Sequence, residues 1–107
     1  MAWIVEYLND GVVREASVLP VDQRARLQRT IESIERHGID QMHGPQFQHL
    51  QGNLWEIRIS ARSGISRAIY VTASGPRVVI VRVFVKKTRK TPRREVKLAL
   101  ERAREVE

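Results

Sequence analysis

The sequence predicts an α+β fold, a small and mostly antiparallel sheet with helices packed on it. Two observations lead there. Three strand-like segments follow one another between residues 54 and 85 with only the turns ARSG and SGP between them, and such short connections force antiparallel pairing. Segments with helical spacing lie before and after them. The chain length of 107 residues suits a single domain, 1–107, with one buried core and no cysteine to cross-link it.

The elements follow in the order β-α-(loop or short helix)-β-β-β-α. AWIVEYL is rich in β-branched and aromatic residues and reads as the first strand. NDG reads as a turn. LPVDQRARLQRTIESIERHG reads as a helix, with Leu27, Ile31 and Ile34 on one stripe, Pro20 at its start and Gly38 just past its end. Residues 39–53 have two glycines, a proline and no period, and are expected to form a loop with at most a helical turn. LWEIRIS alternates, placing Trp55, Ile57 and Ile59 on one face and Leu54, Glu56, Arg58 and Ser60 on the other. ISRAIYVTA and RVVIVRVFV are the next two strands, the second apolar on both faces and so central. TPRREVKLALERAREVE closes the chain as a helix, with Thr91 as cap, Pro92 at N1 and Arg94 at N3.

Charge is the strongest functional signal. The chain carries +7 overall, yet residues 54–94 hold eleven cations against the single acid Glu56, a net of +10, so the remainder sums to −3. Such a field favours a polyanionic partner, most simply nucleic acid. The longest apolar run, VVIVRVFV, is too short to span a bilayer, and the N-terminal stretch carries Glu6 and Asp10 where a secretory leader would be apolar, so a cytoplasmic protein without membrane contact is expected. His37, His43 and His49 stand six residues apart, and that spacing shares no helical face, so no metal site is expected.

No phosphate loop or nucleophile motif is present. What remains is a cationic array on strands: Arg58, Arg67, then Lys86 and Lys87 at the end of the last strand, and Arg89, Lys90, Arg93 and Arg94 at the start of the last helix. Cations at a helix N-terminus oppose the dipole, and an anion docked on the free N–H groups would reverse that penalty. A solvated basic loop is the simpler alternative. Tyr70, three residues beyond Arg67, points to the opposite side of its strand unless a bulge intervenes.

LQGNLWEIR at 50–58, SRAIY at 66–70 and FVKKTRKTP at 84–92 resemble the HigB-like branch of the RelE/ParE toxin superfamily, which includes phage-derived toxin-like proteins. The resemblance covers most of the chain. It implies a RelE-like fold and the toxin of a bacterial toxin–antitoxin pair, an endoribonuclease that cuts messenger RNA, usually on the ribosome, without metal or other cofactor. It also implies a helix-turn-helix antitoxin of the HigA/XRE type as cognate partner. ParE-type relatives inhibit DNA gyrase instead, and a non-catalytic RNA- or ribosome-binding module is a third reading. By resemblance, Arg58 falls on the strand cation beside the scissile phosphate, Arg67 on the arginine of the following strand, and Lys86 and Lys87 on the basic residues after the last strand. Arg58, Arg67 and Lys87 would stabilise charge, while Glu56, Lys87 and Tyr70 are the candidates for proton transfer. Glu56 could equally position Arg58, and Tyr70 could equally be a packed aromatic. Lys86, Arg89, Lys90, Arg93, Arg94 and Arg62 would hold RNA phosphates. Glu56 stands where those nucleases often carry a lysine, and the last helix lacks the catalytic tyrosine of some relatives.

Overall fold

A computed structural model describes residues 3–107. The elements are β1 (Ile4–Tyr7), α1 (Asp10–Ser17), α2 (Val21–His37), a single 3-10 turn (Ile39–Gln41), β2 (Phe47–Gln51), β3 (Leu54–Ala61), β4 (Gly64–Ala73), β5 (Arg77–Val85) and α3 (Arg93–Ala103). The five strands form one sheet in the order β1-β5-β4-β3-β2. Strands β2 to β5 are an antiparallel meander, and β1 joins β5 in parallel. The sheet is therefore mixed, and the α+β class with helices on the sheet holds. Ala2, expected in the first strand, lies outside the described residues.

Two elements depart from the sequence reading. NDG is not a turn but the start of α1: the Asn9 side chain accepts from the Val12 amide at 3.0 Å, and Asp10 sits in the first turn. Asn and Asp are chosen by turns and by helix N-caps for the same reason, a short side chain that bonds the backbone locally, so the tripeptide alone does not separate the two. Residues 47–51, expected in a loop, form β2 against β3, with a register shift between His49 and Gln51. That irregularity and the polar Gln48, His49 and Gln51 hide the alternation in the sequence.

Helices cover both faces. On one face Val12 and Ala16 of α1 and Leu27, Ile31 and Ile34 of α2 pack with Ile57, Ile59, Ala68, Tyr70 and Ile80. On the other, Val96, Ala99, Leu100 and Ala103 of α3 pack with Leu54, Ile69, Val71, Val79 and Val81. Helix α2 ends at Gly38 (φ 89°), whose amide donates to the Ile34 carbonyl at 2.7 Å. A Cβ there would stand 2.6 Å from the Trp3 indole nitrogen, so Gly38 is required both by conformation and by the close approach of the N-terminal segment.

A bulge fixes α3. Ile69 faces Arg82 and Tyr70 faces Ile80, so Val81 has no partner across the ladder. Its carbonyl accepts from Arg102 of α3 at 2.9 Å, and the Val83 amide donates to Glu15 of α1 at 3.1 Å. Arg82 bridges Glu15 at 2.8 Å and Glu95 at 2.6 Å, and Arg102 reaches Glu15 at 2.9 Å. One irregularity in β5 thus ties three elements through four charged groups.

The start of α3 corrects the capping assignment. Pro92 is the N-cap residue and makes no side-chain cap, which places Arg93 at N1, Arg94 at N2 and Glu95 at N3. The helix carries an acid in its first turn after all. The residue before a proline is held in extended backbone, which moves the boundary one residue on and frees the Thr91 hydroxyl for another partner.

Candidate functional site

The face of the sheet beneath α3 also holds Glu56, Arg58 and Arg67. Arg58 and Arg67 are direct cross-strand partners, and Glu56 precedes Arg58 by one full side-chain period. The segment 86–92 passes across this face. It begins as an extension of the ladder, with the Lys86 amide donating to the Ile65 carbonyl at 2.8 Å.

Arg67 is the anchor of that strap. One guanidinium nitrogen donates to Glu56 and to the Thr91 hydroxyl (2.5 Å), and the other donates to the Arg89 carbonyl at 2.7 Å. The Thr91 hydroxyl donates to the second oxygen of Glu56 at 2.6 Å. Glu56 is 1% exposed and Arg67 6% exposed. Both carboxylate oxygens and both terminal guanidinium nitrogens are thus consumed inside the protein. Arg67 and Glu56 are the buried fastening of the strap, and a phosphate would have to break that pair to reach Arg67. Sequence reasoning missed Thr91. The readable signal was Glu56 itself, a lone acid in a cationic segment on a strand face, which needs a partner to be buried.

The strap leaves its other cations outward. Lys87, Arg89, Lys90, Arg93 and Arg94 are exposed, as is Arg62 in the β3–β4 turn. Gly64, Ile65, Lys86, Lys87, Thr88 and Arg89 line an open depression of about 350 Å³. Lys86 is half-buried. Loss of water and then the charges of Arg67, Arg58 and Arg89 hold its ammonium below the ordinary lysine range, and Glu56 opposes this. Arg58 is exposed and belongs to the same electrostatic neighbourhood.

Tyr70 is not part of this cluster. The β4–β5 bulge falls between Ile69 and Tyr70, yet Tyr70 packs with Ala68 in the core under α1 and α2, on the opposite face from Arg67. It is 3% exposed, and burial pushes its phenol up to about 12. Among the described residues no three His, Asp or Glu side chains converge as metal ligands would, and no helix is long and apolar enough to cross a membrane.

The family model for phage derived protein Gp49-like (DUF891) matches residues 14–104. Among solved structures, the chain is similar to a double arginine-to-alanine mutant of the E. coli toxin RelE in the free state, at 14% identity and a TM-score of 0.68, covering 95% of this chain and 98% of that one. It is also similar to an archaeal RelE–RelB complex from Pyrococcus horikoshii OT3, at 20% identity and a TM-score of 0.53, covering 79% of this chain and 96% of that one. No curated protein matches the chain. Three helices packed on a five-stranded mixed sheet are thus the RelE fold, and the chain belongs to the phage derived protein Gp49-like (DUF891) family.

Proposed function

We propose that the chain is the toxin of a bacterial toxin–antitoxin pair and acts in the cytoplasm as a ribosome-dependent endoribonuclease on messenger RNA. The observation that carries this reading is the open depression beside the strap, lined by Lys86, Lys87 and Arg89, on the sheet face that also presents the exposed Arg58. The RelE fold and the HigB-like motifs support the reading. In such a cleavage the RNA 2′-hydroxyl gives its proton to solvent water as its oxygen attacks the adjacent phosphorus, the 5′-oxygen leaves and takes up a proton, and a cyclic phosphate and a 5′-OH end result. The phosphorane gathers negative charge, which Arg58, Lys87 and Arg89 can stabilise from exposed positions. Lys86 lines the open depression and is held there by its amide's bond to the Ile65 carbonyl, and its ammonium carries a proton to transfer to the departing 5′-oxygen, so Lys86 takes the role of general acid. Glu56 and Arg67 act by holding the strap, and Lys90, Arg93, Arg94 and Arg62 are the peripheral phosphate contacts. A helix-turn-helix antitoxin of the HigA/XRE type, supported by the HigB-like motifs, is the cognate partner.

Induced expression should arrest growth, and primer extension should reveal new cuts inside translated messages. Lys86→Ala and Arg58→Ala should each remove the cuts while the variant stays folded. Growth arrest with intact messages and accumulating cleaved DNA would turn the assignment to gyrase. Arrest that needs the protein at ribosome abundance, with neither product, would turn it to a non-catalytic ribosome binder.

A further inference from the structure

We infer that the chain carries a second binding track for the phosphodiester backbone of a single-stranded nucleic acid, running from Arg58 over the edge of β3 onto α2. The inference rests on the reading of the sheet face as a nucleic-acid site and extends it to a surface on the other side of that edge.

Strand β2 covers β3 only as far as Ile57, and the Arg58 amide donates to the Gln46 carbonyl at 2.7 Å where that cover ends. Beyond this point the edge of β3 opens into a cleft of about 280 Å³ lined by Arg26, Thr30, Pro45, Gln46, Arg58 and Ser60. It contains two guanidinium groups, two hydroxyls and an amide, and no carboxylate. A second cleft of about 390 Å³ continues from it, sharing Arg26, Thr30 and Gln46 and adding Arg29, Ser33 and His37.

Helix geometry explains the alignment. Arg26, Thr30, Ser33 and His37 stand at i, i+4, i+7 and i+11, one stripe of α2 beside the buried stripe of Leu27, Ile31 and Ile34. Glu32 and Glu35 fall on the far side of the helix. Asp22 shares the polar stripe, but its carboxylate is occupied by the amide and the hydroxyl of Ser63, at 2.8 and 2.5 Å. Among the described residues neither the Arg26 nor the Arg58 guanidinium takes part in a hydrogen bond or an ion pair, unlike those of Arg67, Arg77, Arg82 and Arg102. Arg58 is the hinge of the track: it stands across from Arg67 on the sheet face that carries the strap, and it lines the α2 cleft at the edge of β3. The Thr30 hydroxyl is spent on the Arg26 carbonyl at 3.0 Å, but the cations and the Ser33 and Ser60 hydroxyls, with no acid to satisfy them, suit phosphate oxygens in succession.

The test uses 2′-O-methyl oligouridines, which cannot be cut, as a trinucleotide and a decanucleotide. A trinucleotide can be held by Lys86, Lys87 and Arg58 alone, whereas a decanucleotide can also reach α2. Arg26→Ala should weaken the decanucleotide roughly three- to tenfold and reduce the slope of log K against log salt by about 0.7, while leaving the trinucleotide unchanged. Arg104→Ala, which removes the same charge from the exposed end of α3, should alter neither. An oligodeoxythymidine of the same length separates RNA from DNA as the source of the backbone. Equal binding assigns the track to phosphodiester strands in general, and weaker binding assigns it to RNA. Decanucleotide binding that falls with Lys86→Ala but is indifferent to Arg26→Ala overturns the second track and leaves the proposed nuclease site standing. Polyglutamate that loses affinity with Arg26→Ala while RNA does not would assign the cleft to an acidic protein segment and overturn the inference. If the unaltered protein binds no nucleic acid at all, both readings fall together.

Discussion

Replacing Glu56 by Gln keeps the shape of the strap's fastening and removes its charge. Glu56 accepts from Arg67 and from Thr91 with separate oxygens, and it is buried. Its amide replacement presents an NH₂ to one of two donors, so either the Arg67 guanidinium or the Thr91 hydroxyl loses its acceptor. Arg67 is then a buried cation left with two neutral acceptors, the Thr91 hydroxyl and the Arg89 carbonyl, and its Nε already has no partner. Breaking a buried pair by removing one member costs about 3–5 kcal/mol. Taking the lower end, because water can enter beside the half-buried Thr91, gives a loss of about 3 kcal/mol. For a domain of this size that is a fall in Tm of roughly 12–24 °C. Chemical denaturation of Glu56→Gln, Arg67→Met and the double variant measures it. The double variant should be less destabilised than the two single losses summed, by about 2 kcal/mol, because the second change removes the orphaned partner. Titration of Lys86 gives a second readout, since loss of the Glu56 charge should lower its proton affinity further. A Glu56→Gln protein within about 1 kcal/mol of the original, with strictly additive energies in the cycle, would refute the account of the strap.

Three further expectations can be checked in the same way. Burial raises the Glu15 carboxyl, but the hydrogen bonds from Arg102 and the Val83 amide and the charges of Arg82 and Arg102 outweigh it, so it lies below its ordinary 4.5. Its contribution is complete above that value and is lost as pH falls through the lower folded pKa, and Glu15→Gln should flatten the acid limb of a stability–pH curve. Tyr70 behaves in the opposite sense: its folded pKa is raised from 10.0 to about 12, so stability is full below 10 and declines as pH climbs through that interval, an effect that Tyr70→Phe should abolish. Gly38→Ala should cost more than about 1 kcal/mol by thermal denaturation, since the new methyl meets both a left-handed φ and the Trp3 indole.

Much of the fold was legible because its signals are local. The stripe of Leu27, Ile31 and Ile34, bracketed by Pro20 and Gly38, yields α2 nearly to the residue. The alternation in 54–60 and the turns after it yield the meander. Asn9 misled because one side-chain habit serves two structures, and β2 because its polar residues and irregular pairing blur the period. At the site, the sequence showed which cations exist but not which are spent. Arg58 and Arg67 look equivalent as text. Only the fold, by bringing Glu56 and Thr91 together from 35 positions apart, seals one and leaves the other open. Arg26 was invisible for the same reason: its neighbour Arg58 comes from another element across the edge of the sheet.

The parallel pairing of β1 with β5 bears on how the chain assembles. Residue 4 must find residue 77, whereas each hairpin of the meander closes over a short turn. Closure of the long loop carries the larger entropic cost and gains only four residues of ladder. The meander can therefore organise before β1 docks, and β1 is the section whose amides should exchange with solvent soonest through local opening. During synthesis the order is reversed: β1, α1 and α2 leave the ribosome first and wait for the sheet that buries their apolar faces. The strap and α3 follow β5, so the cationic face is completed only after all five strands have been made. A nascent chain is thus held back from presenting that face by topology alone.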